Sequence, residues 1–199
     1  MSTAELIRTY IESCEPGEPF TPAALLSFGT RKAVDLELAR LVKAGVLARP
    51  VRGVYIRPKR NKYVGIVQPE PIKVAMAKAS GPIEVHGAEA ARRFGFSTQM
   101  PVRPIYYTTG PSRRIKYGGI PITLKHVSPR KLVAPGTNVG LAISALWYLG
   151  KEQVGPNTFA AIRKQLSQKE NEQLKAAVPL MPAWMSDALL RYERELAHA

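Results

Sequence analysis

The run TRKAVDLELARLVKAGVLARPVRGVYIRPKRNK, Thr30 to Lys62, constrains the fold more than any other part of the chain. Thr30 suits a helix N-cap, where its hydroxyl can accept from a free backbone N–H. Val34, Leu38, Leu41 and Val42 recur at i, i+4, i+7 and i+8, which predicts an amphipathic helix with one apolar face. The opposite side carries Lys32, Leu36, Arg40 and Lys43. Gly45 stands where a left-handed residue closes a helix. VLARP and GVYIRP then read as two short strands around a tight turn at Val51-Arg52-Gly53. The run ends in the cations Arg57, Lys59, Arg60 and Lys62.

Two further helices are expected upstream. Ser2 with Glu5 is a capping box, and Leu6, Ile7, Tyr10 and Ile11 fall on one face behind it. Pro16 and Gly17 end that helix. Thr21 and Pro22 suit the N-cap and first position of a second, short helix that Gly29 stops. Phe20 and Leu25 are spaced as a hydrophobic staple across its start. Helix, helix, turn, helix and β-hairpin in this order make a winged helix-turn-helix.

Charge points the same way. The chain of 199 residues has 29 Lys and Arg against 15 Asp and Glu, a net charge of +14, which favours an anionic partner. A recognition helix presents its N-terminal residues to base edges, so Thr30, Arg31, Lys32, Asp35 and Leu36 are expected nearest the bases. Arg31 or Lys32 can read guanine. Asp35 can accept from cytosine, but a carboxylate near phosphates is repelled, and an i, i+4 pair that orients Arg31 is the preferred reading. Arg40 and Lys43 are expected phosphate contacts, which set register without reading sequence. Arg49 and Arg52 flank the wing tip, and Arg57, Lys59 and Arg60 form a second electrostatic contact.

Beyond the wing, NKYVGIVQPEP reads as a strand followed by a break, with the interdomain joint near Gln68 to Pro71. The expected domains are a winged helix-turn-helix over 1–66 and, over 67–199, an α+β domain with a helical C-terminal part. IKVAMAKAS and HGAEAARRFGFS are short helix candidates. VRPIYYTTGPSRRIKYGGIPITLKHVSP alternates as three short antiparallel strands, with Gly118-Gly119 as a hairpin turn. TNVGLAISALWYLG is apolar nearly all round and therefore buried, and three more helical segments follow, the last containing Met181, Trp184 and Met185 as expected core. Arg113, Arg114 and Lys116 beside Tyr117 carry two readings: a second nucleic-acid or partner surface, with an aromatic among cations, or an edge strand guarded by charge.

No catalytic constellation stands out. His86, His126 and His198 lack metal spacing, and His86 is read as a core or capping residue. G-x-S-x-G, Walker A and Rossmann patterns are absent from the sequence. Neither a cofactor, a metal nor an enzymatic activity is expected. A single cysteine, Cys14, rules out an internal disulfide framework. The longest apolar run, Val139 to Leu149, is far short of the ~20 residues that span a bilayer. No membrane association and a cytoplasmic location are expected.

The segment FTPAALLSFGTRKAVDLELARLVKAGVLARPVRGVYIRP resembles the winged-helix domain of AbiEi-like antitoxins of bacterial type IV toxin–antitoxin and abortive-infection systems. VHGAEAARRFGFSTQMPVRPIYYTTGPSRRIKYGGIPITLKHVSPRKL is similar to the second domain of that family. The resemblance covers roughly residues 18 to 132. It implies that the winged helix binds operator DNA and represses its own operon, with contacts at Thr30, Arg31, Lys32, Arg49 and Arg52. It also implies that the C-terminal region counters a nucleotidyltransferase-like toxin without necessarily binding it stably. Two other readings remain open: a transcription regulator with a sensing C-terminal domain, and an RNA-binding module.

Overall fold

The computed structural model describes residues 2–99 and 101–198. The chain is α+β and divides into two units. One runs through Lys78 and includes Arg114–Ile122; the other comprises Ala79–Arg113 and the chain from Thr123 onward. The boundary expected at 66/67 thus lies inside the first unit, which continues through the helix that follows.

The first unit begins with α1 (Thr3–Ser13), closed at its N-terminus by the Ser2–Glu5 capping box and burying Ile7 and Ile11. β1 (Pro19–Phe20) follows. The second helix of the motif is a single 3-10 turn, Pro22–Leu25, rather than an α-helix. Between Pro22 and Gly29 there is room for little more than i→i+3 closure, and Ala24 N–H donates to the Thr21 carbonyl at 3.1 Å. α2 (Arg31–Lys43) starts on Thr30, whose hydroxyl accepts from Ala33 N–H at 3.3 Å. It ends before Gly45, at φ +70°.

β2 (Ala48–Val51) and β3 (Val54–Ile56) form the wing, with Gly53 at φ +77° in the turn. β1, too short to carry a periodic signal in the sequence, adds to the far side of β3 and makes a three-stranded antiparallel sheet, β1-β3-β2. Ile7, Ile11, Leu25, Val34, Leu38, Leu41, Leu47 and Tyr55 close one core beneath α2. This is the winged helix-turn-helix order.

β4 (Lys59–Asn61) and β5 (Gly65–Val67) pair antiparallel as a separate two-stranded hairpin, where a single strand was expected. α3 (Pro71–Lys78) follows.

In the second unit β6 (Ile83–Val85) leads into α4 (Gly87–Arg93) and then β7 (Ile105–Thr108). β8 (Arg113–Tyr117) and β9 (Ile120–His126) complete a sheet of order β6-β7-β9-β8. Gly118 and Gly119, at φ +52° and +80°, make the turn between β8 and β9, whose outer part, 114–122, belongs to the first unit. The expectation of three consecutive antiparallel strands is corrected here. β8 takes the edge, so β9 lies beside β7 and pairs with it in parallel, Ile105 opposite Thr123.

The helical part comprises α5 (Asn138–Leu149), α6 (Pro156–Gln165), α7 (Gln168–Ala176) and α8 (Ala183–Ala197). Ala142, Ile143 and Leu146 of α5 are fully buried at its centre, together with Phe159, Ile162 and Met185. Met181 and Met185 are core, and Trp184 packs edge-on against Trp147.

Candidate nucleic-acid interface

The site grows from α2. Its apolar face is consumed by the core, so Arg31, Lys32, Asp35, Leu36, Arg40 and Lys43 all stay exposed. Thr30 caps the helix: its hydroxyl oxygen accepts from Ala33 N–H, which leaves its O–H to donate elsewhere. The N-terminus of α2 and the cations beside it present positive potential to solvent. Arg31 Nε donates to Asp35 Oδ2 at 2.8 Å, the i, i+4 pair that the spacing predicts. A carboxylate there holds the guanidinium against the helix surface and leaves its remaining N–H groups outward.

Glu37 was not anticipated as part of this face. It is only 4% exposed, on the side turned toward α1. Its carboxylate lies 3.4 Å from Arg8 Nε and 3.6 Å from an Arg40 nitrogen. Arg40 therefore hangs over the helix toward Glu37, while Lys43 forms the cation of the last turn. A charged residue read from sequence is assigned to solvent by default, and only the packing of α1 over α2 reveals the exception.

On the wing, Arg49 sits over the ring of buried Tyr55, 5.7 Å from its centroid, which fixes the guanidinium beside the sheet. Arg52 occupies the tip and is exposed. Its carbonyl accepts from Lys78 Nζ at 3.2 Å, so a cation from α3 joins the wing turn.

Arg57 departs from the group in which the sequence placed it. Its guanidinium NH1 donates to the carbonyls of Glu12, at 3.0 Å, and Cys14, at 3.3 Å. It is half-buried and caps the C-terminal end of α1, where a cation satisfies free carbonyls and meets the negative end of the helix dipole. Its neighbours Lys59 and Arg60 are exposed on β4.

The hairpin tip beyond them is Lys62-Tyr63-Val64. Tyr63 is 81% exposed and Val64 71%. Asn61 Oδ1 accepts from Tyr63 N–H at 2.8 Å, an Asx turn that stiffens the tip, and Lys62 Nζ lies 4.7 Å from the Tyr63 ring centroid.

The group around β8 separates. Arg114 and Lys116 point outward from an edge strand, whereas Ile115 and Tyr117 point inward. The Tyr117 hydroxyl donates to the Pro69 carbonyl, and burial raises its pKa. The aromatic thus does not stand among the cations, and Arg114 and Lys116 are exposed along the edge. Arg113 reaches Ser80 Oγ at 3.4 Å.

In the second unit His86 caps α4, its Nδ1 accepting from Ala88 N–H at 3.2 Å. Its pKa is lowered by burial first and then by Lys125. Glu84, 4% exposed, accepts from Val85 N–H at 2.7 Å and Gly136 N–H at 2.9 Å. Burial raises its pKa against the pull of those two donors. A cavity of about 620 Å³ is lined by Arg130, Leu132, Trp147, Leu180 and Met181. Among the described residues no group of three or more His, Cys, Asp or Glu side chains is arranged to hold a metal ion, and no helix is long and apolar enough to cross a membrane.

The model of a family of unknown function, DUF6088, matches residues 6–174, which takes in the winged helix and most of the second unit. No curated protein matches the chain.

Proposed function

The chain belongs to DUF6088, and we propose that it is a DNA-binding autorepressor whose winged helix reads an operator. The observation that carries this reading is the exposed face of α2. Arg31 and Lys32 stand at the helix N-terminus, with Arg49, packed over Tyr55, and Arg52 on the adjoining wing, and all four are exposed. Arg31 acts in base reading, oriented by Asp35. Lys32, Lys43, Arg52, Lys59 and Arg60 act on phosphates. The resemblance of residues 18 to 132 to AbiEi-like antitoxins extends the proposal. On it, the protein works in the cytoplasm as the antitoxin of a type IV system, and its second unit counters a nucleotidyltransferase-like toxin without catalysis of its own.

The test is repression of a reporter driven by the chain's own upstream sequence. Arg31→Ala is expected to relieve repression while the protein stays folded by circular dichroism. Undiminished repression by Arg31→Ala together with Lys32→Ala refutes the assignment to α2. Growth rescue on co-expression with an adjacent nucleotidyltransferase tests the antitoxin half.

The cavity in the second unit favours one other reading, a regulator that senses a ligand. Its volume falls within the range of small-molecule sites, and apolar walls with one arginine suit an apolar carboxylate. Operator binding that changes with such a ligand, with no toxin gene nearby, distinguishes it.

A further inference from the structure

The β4–β5 hairpin is costly for a structure to carry without a purpose. Two strands of three residues that pair only with each other are marginal in water. Its outer end places two large apolar side chains, Tyr63 and Val64, side by side in solvent, at 81% and 71% exposure. Scattered exposed apolar residues are ordinary, but adjacent ones at the tip of a hairpin mark a contact.

The rest of the arm says what it contacts. Lys59, Arg60 and Lys62 line its stem and tip, all exposed, and no acidic residue lies between Lys59 and Gln68. The tip is held open: the Asn61 side chain accepts from Tyr63 N–H, and Gly65 turns the chain at φ +72°. Little ordering entropy remains to be lost when the tip is inserted. A cationic two-stranded arm ending in an apolar wedge has the chemistry needed to enter a minor groove: the cations neutralise phosphates on both sides, and the apolar tip stacks into a base step. An apolar or acidic protein surface would leave one half of this chemistry unused.

Resting on the DNA-binding reading above, we propose that the 59–67 hairpin is a second, minor-groove arm, and that Tyr63 and Val64 wedge a base step and bend the operator. The recognition helix supplies register and sequence. The arm adds shape: it favours flexible pyrimidine–purine steps, which open most readily, at a position the helix never touches.

The experiment uses the full chain and a duplex of its own upstream DNA labelled at both ends for energy transfer. Three proteins are compared: the wild type, the double variant Tyr63→Ser/Val64→Ser and the charge variant Arg60→Ala. Thermal melts confirm that the variants fold, as substitution of largely exposed residues allows. The wild type is expected to bend the duplex by roughly 20–90°. The tip variant is expected to bind straight DNA with its salt slope unchanged. Arg60→Ala is expected to keep the bend and lose about one unit of salt slope. Specific binding with no bend, or a bend the tip variant retains, overturns the arm and leaves the recognition helix standing. Loss of single-stranded rather than duplex binding in the tip variant also overturns it, since that result makes Tyr63 a stacking platform. Absence of any specific duplex binding by the wild type overturns the DNA reading and the arm together.

Discussion

Arg57 and Arg60 lie three residues apart in one basic run, yet the structure gives them opposite work. Arg57 makes two charge-assisted hydrogen bonds, to Glu12 O at 3.0 Å and Cys14 O at 3.3 Å, and so fastens the end of α1 to the strand that leaves the wing. Such bonds contribute about 1.5–3 kcal/mol each when fully buried. Arg57 is half-buried and the second bond is long, so we take the pair at about 2 kcal/mol. For a chain of this size that corresponds to a fall in Tm of about 4–8 °C in Arg57→Ala. Because NH1 is already committed to two carbonyls, Arg57 is expected to neutralise no phosphate and the slope of log K against log[salt] to stay the same. Arg60 has the reverse profile. It is exposed, so Arg60→Ala leaves Tm within about 1 °C and reduces the slope by about 0.9. Differential scanning fluorimetry and anisotropy titrations at four salt concentrations measure both quantities. A reduced slope with unchanged Tm in Arg57→Ala refutes the reasoning, since it makes Arg57 a phosphate contact.

Three further outcomes are expected. Asp35→Asn breaks an exposed pair at 2.8 Å, so stability should change by less than about 1 kcal/mol; the same variant should bind all DNA more tightly and discriminate less, which competition with scrambled duplex measures. Gly140→Ala would place a Cβ 2.2 Å from the Ala134 carbonyl oxygen and 2.7 Å from Glu84 Oε2, so about 1–3 kcal/mol or more of stability should be lost, read as a lower denaturation midpoint of the second unit. Glu89 is held down to about 2, by its hydrogen bond to Arg92 first and also by Arg93; a depressed carboxylate stabilises the fold fully above the ordinary Glu range and loses that share as pH falls toward 2, so acid titration of Glu89→Gln should show a shallower loss than wild type between about pH 4.5 and 2.

The winged helix was legible because each of its parts has a local signal. The Thr30 cap, the Val34–Leu38–Leu41 stripe, Gly45 and Gly53 are fixed by helix geometry and turn chemistry, and the structure uses them as the pattern predicts. Pairings that depend on distant chain segments were not legible. A two-residue β1 carries no periodicity, and its place beside β3 follows only once α1 has folded back. The β4–β5 turn lacks an Asn-Gly or Asp-Gly pair; it relies on Asn61 accepting from Tyr63 and on Gly65 after the tip, so the run read as one strand. Arg57 was grouped with its basic neighbours because sequence shows charge but not what the charge faces. Tyr117 could have been separated from Arg114 and Lys116 by strict alternation along β8, since odd and even positions take opposite faces. Glu37 had no such signal, because its burial is decided by α1.

On the proposed function, the face formed by α2 and the wing recognises a particular DNA sequence. Fluorescence anisotropy on the chain's own upstream duplex beside a scrambled duplex, at several salt concentrations, tests it most directly. Operator recognition requires a preference of roughly a thousandfold or more for the native sequence, with steep salt dependence on both. Equal, salt-sensitive affinity for the two duplexes would contradict it and reduce the +14 charge to a nonspecific handle.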